Sequence, residues 1–310
     1  MREETSALPK NEHDRLILAP LRGVTIRAFR ETFAPEIAEA GFAEAVTPFI
    51  TAAPGYDPLG DRELRGLPPP SAPQSRALLL TPQFIGKDPA ALRDCLLRVK
   101  AAGYVTADLN AGCPFPMVRN KGRGSGLLRT PGVLERMIAT GCEVMGPGCF
   151  SLKTRLGVER SDELAGLMPM INAYPLRYLT VHARTARQMY EGECDRAALA
   201  VVERLSRLPR VRNGDIPFPP SPAGRDAAAA EGRAPLMIGR GFVRALGARE
   251  DARELLRRYL AATAAELPGD RPVLGRMKEL VAYWKDLPGW RRLWPIVKIA
   301  RSVDEFASVL

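Results

Sequence analysis

Short apolar runs alternate with amphipathic stretches along this chain, and the alternation repeats. Leu16 to Pro20 has the look of a buried strand, and Val24 to Ala34 has helical spacing with Thr25 as its cap. Phe42 to Ile50 and Ala77 to Ile85 predict two further strands, separated by a long loop dense in Pro and Gly, Thr51 to Pro73. Asp88 and Pro89 open a helix that reaches Ala102, with Asp at the cap and Pro in the first turn. Tyr104 to Leu109 is a fourth strand, Thr130-Pro131 starts a helix ending near Val144, and Cys149 to Leu156 is a fifth strand. Helical Ser161 to Ala173, a strand at Leu176 to Val181, helical Asp195 to Leu205 and a strand at Arg210 to Asn213 follow. Beyond Pro-rich Ile216 to Gly224 and Ala-rich, helical Arg225 to Glu231, Leu236 to Ile238 is the eighth strand.

Eight strand-then-helix units predict a parallel (β/α)8 barrel, because the alternation demands right-handed crossovers and eight strands close the sheet. A doubly wound sheet is the competing architecture. The barrel accounts better for the polar residues, since Gln83, Asn110, Cys113, Lys153, His182, Asn213 and Arg240 fall at or just past the carboxyl ends of six different strands, Asn110 and Cys113 sharing one. From about Ala245 the pattern is helical alone, over Asp251 to Leu267, Val273 to Lys285, Leu293 to Ala300 and Val303 to Leu310. That divides the chain into a barrel, residues 1–243, and a small all-helical domain, residues 244–310.

The chemistry centres on Asp108-Leu109-Asn110-Ala111-Gly112-Cys113-Pro114-Phe115-Pro116, where an apolar run becomes a polar loop carrying one thiol. Pro114 and Pro116 argue against an immediate helix, and Arg119 to Gly126 reads as a mobile, basic, Gly-rich loop. A thiol facing such a loop is a candidate acid or nucleophile beside an anionic substrate, the alternative being a small buried hydrophobe. Gly239-Arg240-Gly241 and Asn213-Gly214-Asp215 lie where barrels commonly hold a phosphate. Lys153 and His182 are placed to hydrogen-bond a flavin edge or a carbonyl, with Gln83 at the ring's polar rim; equally, Lys153 could pair with Asp108, and His182 could be a satisfied core histidine.

Composition narrows the setting. The net charge is +10, with 8 lysines against 37 arginines, which favours a polyanionic partner. Between Arg271 and Arg301, the basic residues Arg271, Arg276, Lys278, Lys285, Arg291, Arg292, Lys298 and Arg301 stand against only Glu279 and Asp286, and the same stretch holds Trp284, Trp290 and Trp294. Such a segment either contacts phosphates and stacks on bases or packs a small bundle under a solvated face. The five cysteines form no C-x-x-C pair, so neither a zinc site nor a disulfide framework is expected. The polar start, Met1 to Asp14, and the lack of any apolar run near the roughly 18 residues that span a bilayer suggest a cytoplasmic protein.

Six ordered stretches, Ala19 to Thr25, Asp108 to Pro114 with Gly122 to Leu128, Leu152 to Gly157, Val181 to Thr185, Asn213 to Asp215 and Met237 to Gly241, resemble the motifs of the tRNA-dihydrouridine synthases. Arg276-Met277-Lys278 and the basic aromatic helix beyond it are similar to the helical RNA-binding domain of bacterial members, and faintly to the C-type branch. The resemblance implies FMN-dependent reduction of a tRNA uracil, with NADPH or NADH recharging the flavin. It implies that Pro20, Leu21, Gln83, Lys153, His182, Asn213, Gly214, Asp215, Gly239 and Arg240 hold FMN, that Cys113 is the general acid, and that Asn110, Lys153, His182 and Arg184 fix the uracil and its phosphate. Arg119, Lys121, Arg123, Arg276 and Lys278 would grip the RNA outside. The chain departs from the family at Leu21 and Arg22, where Met and Glu or Thr are usual, and at Arg123, where a small residue is common. An FMN barrel oxidoreductase acting on a small pyrimidine or enone is the alternative. No metal is expected, and a monomer is the default.

Overall fold

In the computed structural model, residues 15–67, 78–219 and 234–310 are described. The helix expected over Arg225 to Glu231 and the later part of the Thr51 to Pro73 loop lie outside them. Ten short parallel strands run β1 (Leu16–Leu18), β2 (Phe42–Val46), β3 (Ile50–Thr51), β4 (Leu79–Thr81), β5 (Gln83–Ile85), β6 (Ala107–Ala111), β7 (Phe150–Gly157), β8 (Leu179–Thr185), β9 (Arg210–Asn213) and β10 (Leu236–Ile238). They make eight staves rather than ten. β2 and β3 are one stave interrupted around Pro48, and β4 and β5 are one stave interrupted at Pro82, because proline has no N–H to give the ladder. β2 pairs with β4 and β3 with β5, while β1 pairs with both β10 and β2, so the sheet closes into the expected barrel.

Period-2 alternation sorts the side chains. On β7, Leu152, Leu156 and Phe150 join the large apolar layer between sheet and helices. Ser151, Lys153 and Arg155 alternate with them and point to the barrel axis. The axis itself holds a small apolar group, Ile17, Ala19, Val46, Tyr178, Val211 and Met237. At its amino end the fully buried Glu44 receives Arg15 (3.0 Å), Arg177 (2.8 Å), the Tyr178 hydroxyl (2.9 Å) and the Thr81 hydroxyl (2.6 Å). A buried carboxylate needs this many donors to offset its desolvation, and the cluster seals that end.

Two local expectations are corrected. Thr25 does not cap a helix: its hydroxyl accepts from Leu21 N (2.8 Å) and donates to Ala19 O (2.9 Å), tying the loop after β1 shut, and the helix begins later as Arg27–Thr32. Pro116 does not prevent a helix after β6 but starts one, Pro116–Arg119, since at the first helical position its missing N–H is no loss.

The C-terminal helices Ala252–Glu266 and Asp270–Val281 pack on the barrel through one continuous apolar cluster. Tyr259 stacks edge-on to Phe29 and lies 5.5 Å from Phe33. The indole N–H groups of Trp284 and Trp290 donate to Val243 O (2.6 Å) and Gly247 O (2.9 Å) in the helix Arg240–Gly247 that follows β10. Of the two readings of the tryptophans, the bundle holds for this pair: both are buried and hydrogen-bonded, with no face free for a base. Trp294 is partly buried against the same cluster.

Candidate active site

At the open end of the barrel lies a cavity of about 430 Å³. Asn110, Cys113, Lys153, His182 and Asn213 reach it from four consecutive staves, and Pro20, Leu21, Gly214, Asp215, Gly239 and Arg240 complete the wall from the β1, β9 and β10 ends. Parallel register brings them in pairs, Asn110 opposite Lys153 and His182 opposite Asn213, with His182 two positions further along its strand than Thr180, the residue opposite Lys153.

The cysteine loop is rigid. Asn110 Oδ1 accepts from the amides of Gly112 (3.1 Å) and Cys113 (2.8 Å), and the Cys113 carbonyl accepts from Ser125 N (3.1 Å) and Ser125 Oγ (2.9 Å). Of the stretch expected as a mobile loop, Arg119 to Gly126, the end is packed, since Gly124–Arg129 forms a 3₁₀ turn buried from Gly124 to Leu128, while Asn120 and Lys121 are exposed. Gly124, at φ +58°, cannot be replaced cheaply, because a Cβ there would lie 2.8 Å from that of Cys113. Burial pushes the Cys113 thiol above its ordinary value, with the Phe115 amide, Arg22 and Arg155 pulling the other way. The thiol therefore keeps its proton at neutral pH.

Gln83 does not border the cavity. Fully buried, it donates through Nε2 to Asp108 Oδ2 (2.8 Å) and accepts from Asn110 Nδ2 (2.7 Å), while Asp108 Oδ1 accepts from Ser151 Oγ (2.6 Å). A hydrogen-bonded chain thus runs from the barrel axis through Asp108, Gln83 and Asn110 to the Cys113 amide. Burial raises Asp108 to about 6, against the Ser151 and Gln83 hydrogen bonds and the charge of Lys153. Burial and Arg155 lower Lys153 to about 8, with Asp108 opposing. The ammonium of Lys153 donates to Asn213 Oδ1 (2.8 Å), not to Asp108.

His182 is held neutral, first by burial and then by Arg155, Lys153, Arg184 and Arg240. Arg184 Nη1 lies 3.1 Å from its Nε2, and since a guanidinium only donates, the imidazole proton belongs on Nδ1. Arg184 stands behind the cavity wall, spent on Asp215, Gly192 O (2.6 Å) and Glu191 O (3.2 Å). Asp215, at φ +47°, also receives Arg240 (2.6 Å).

Several wall residues carried no assigned role in the sequence. Arg155, fully buried, donates to Gly112 O (2.8 Å), Thr185 O (2.9 Å) and Met189 O (2.7 Å), joining the cysteine loop to the loop after β8. That loop presents Tyr190, whose ring lies under Arg155 and Arg240. Tyr283 and Arg244 reach the cavity from the C-terminal side, and Arg22 lies over Phe49 at its lip. Arg119, the last residue of the helix Pro116–Arg119, and Lys121 just after it sit outside the cavity; Arg276 pairs with Glu279 (2.7 Å), and Lys278 donates to Ala300 O (2.6 Å).

The cavity has two kinds of wall. Ala19, Pro20, Leu21, Met237 and Ile238 make an apolar face. Next to it the helix Arg240–Gly247 begins at Gly239 with no side-chain cap, so its first amides, with Arg244 and the Asp215-paired Arg240, offer donors to an anion. A flat ring system bearing a phosphate matches both. No described His, Cys, Asp or Glu cluster could hold a metal ion.

The solved structures agree on architecture. An old yellow enzyme homologue from Zymomonas mobilis superposes with a TM-score of 0.54 at 13% identity, covering 74% of this chain and 85% of that one. A morphinone reductase gives 0.53 at 11%, covering 74% and 83%. Such identities speak to fold alone. In sequence, a probable tRNA-dihydrouridine synthase of Rhodobacter capsulatus is 31% identical over 232 residues, 73% of this chain and 67% of that protein. The tRNA-dihydrouridine synthases B of Vibrio vulnificus and Pseudomonas aeruginosa are 27% and 29% identical over 66% of this chain, which spans only 61% and 59% of their lengths. The dihydrouridine synthase (Dus) family model matches residues 17–246, from β1 through the helix after β10, the span that builds the cavity. The chain therefore belongs to the dihydrouridine synthase family.

Proposed function

We propose that this protein is a cytoplasmic, monomeric tRNA-dihydrouridine synthase that binds FMN and reduces particular uridines of tRNA to 5,6-dihydrouridine, using NADPH or NADH. Residues 1–243 form the catalytic domain, and residues 244–310 help to hold the RNA. The observation that carries this reading is the convergence of the Cys113 side chain with Lys153, His182 and Arg240 on one cavity whose walls suit a phosphorylated flat ring.

The donors at Gly239 and Arg240 would hold the FMN phosphate, and Pro20, Leu21, Lys153, His182, Asn213, Gly214 and Asp215 would surround the rest. When bound, FMN supplies the hydride. Cys113 Sγ would deliver the proton to the base carbon adjacent to the one that takes the hydride, and burial suits it to that task by keeping the thiol protonated until the base arrives. Lys153 is a cation at neutral pH and has two N–H groups left beyond its bond to Asn213, enough to polarise a ring or base carbonyl. Asn110 spends its oxygen on the Cys113 loop, so its contribution to the uracil is chiefly to fix where the thiol stands. Gln83 supports the same loop from behind.

Cys113→Ala tests the reading. The variant is expected to purify yellow with an unchanged flavin spectrum and to form almost no dihydrouridine in tRNA from a deletion strain. Full turnover by the variant overturns the assignment of the acid. Flavin reoxidation that ignores added tRNA overturns the substrate and favours a small-molecule oxidoreductase.

A further inference from the structure

The segment just past Cys113 carries an apolar tip that the reaction above does not use. Phe115 is 37% exposed and Met117 72%, more than any other large hydrophobic residue among those described. Exposure here is not looseness. Val118 N and Arg119 N both donate to Phe115 O at 2.9 Å, and Gly126 packs so closely that a Cβ on it would lie 2.4 Å from Arg119 O. The Phe115 ring lines the cavity and stands 6.4 Å from the ring of Tyr190. A rigid apolar knob therefore borders the place where the reacting base is taken up.

Its surroundings specify the partner. Arg119, Lys121 and Arg123 follow within six residues, and no carboxylate occurs from Cys113 to Thr130. Among the described residues none of the three has an ion-pair partner, and the buried Nε atoms of Arg119 and Arg123 have no hydrogen-bond partner. Solvated apolar side chains flanked by unpaired cations suit a polyanion that also offers flat apolar faces, which a nucleic acid strand does where a base has left its stack. An acidic protein surface would satisfy the charges without giving Met117 a gap to fill.

We propose that Phe115 and Met117 form a wedge that enters the RNA base stack at the step vacated by the uridine in the cavity, while Arg119, Lys121 and Arg123 hold the flanking phosphates. The proposal rests on the reading of the cavity as a uridine site. Opening the stack costs a few kcal/mol, and a wedge that fills the gap recovers part of that cost.

The test uses the full-length, flavin-loaded enzyme and a tRNA carrying 2-aminopurine beside the uridine found to be reduced. Wild-type protein is expected to raise the 2-aminopurine fluorescence on binding, because wedging unstacks that base. Met117→Ala should remove most of the rise. It should also lower about tenfold the ratio of kcat/KM on folded tRNA to kcat/KM on a short unpaired oligonucleotide with the same uridine. Met117→Leu should keep both signals. Fluorescence and ratio unchanged in Met117→Ala overturn the wedge and leave the reaction assignment standing. An equal loss on tRNA and oligonucleotide also overturns it, since Met117 would then merely support the Cys113 loop. Wild-type enzyme that forms no dihydrouridine in any RNA overturns both the wedge and the reading beneath it.

Discussion

Replacing Gln83 by leucine keeps the volume of a fully buried side chain and removes its two hydrogen bonds, to Asp108 Oδ2 and from Asn110 Nδ2. The Asn110 amide loses its buried acceptor and Asp108 loses one of its two side-chain donors, keeping Ser151. The second loss depends on pH. With Asp108 at about 6 in the fold against an ordinary 3.8, the stability supplied by its buried protonated form is complete below pH about 4 and is lost as pH rises through 6. Gln83 holds that value down, so without it Asp108 titrates still higher, and the variant goes on losing stability above pH 6, at about 1.4 kcal/mol per pH unit of added shift. Two neutral hydrogen bonds at about 1 kcal/mol each give a deficit of roughly 2 kcal/mol at pH 5. A further shift of about one unit brings it to roughly 3 to 4 kcal/mol at pH 7.5. Urea midpoints of wild type and variant at the two pH values measure this directly. A deficit equal at both, or below about 0.5 kcal/mol, refutes the chain from Asp108 to Cys113. Weakened FMN binding with no change in stability would return Gln83 to the flavin rim.

The lowered Lys153 makes a second expectation. Its cation is present below about pH 8 and disappears above, whereas Cys113 keeps its proton past the ordinary thiol value, so kcat/KM for tRNA should fall with a midpoint near pH 8. Lys153→Arg should move that limb upward, and a limb that stays at 8 belongs to another group. The tryptophan anchor can be tested by stability alone. Trp284→Ala is expected to cost about 3 to 5 kcal/mol in thermal or urea unfolding. Gly247→Ala should be comparably harmful, because its Cβ would lie 2.2 Å from the Trp284 ring. A loss below about 1 kcal/mol in both would mean that the bundle is not fastened there.

Strand and helix order, and hence the barrel, follow from the sequence because each stave is a local apolar run that must be covered by the helix after it. Parallel closure then leaves little choice about which ends meet, so Cys113, Lys153, His182 and Arg240 could be grouped in advance. The prolines that split two staves blurred only the boundaries. Orientation was another matter. Whether Gln83 faces the cavity or Asp108, whether Arg184 is free or held by Asp215, and whether Trp284 is an open face or a buried anchor all depend on partners distant in the chain. Arg155 and Tyr190 entered the site the same way, through carbonyls and rings brought near by closure of the sheet. Periodicity tells which way a residue points along its own strand; what it meets there is decided only when the other strands arrive, since a buried donor goes to whichever acceptor packing leaves within reach.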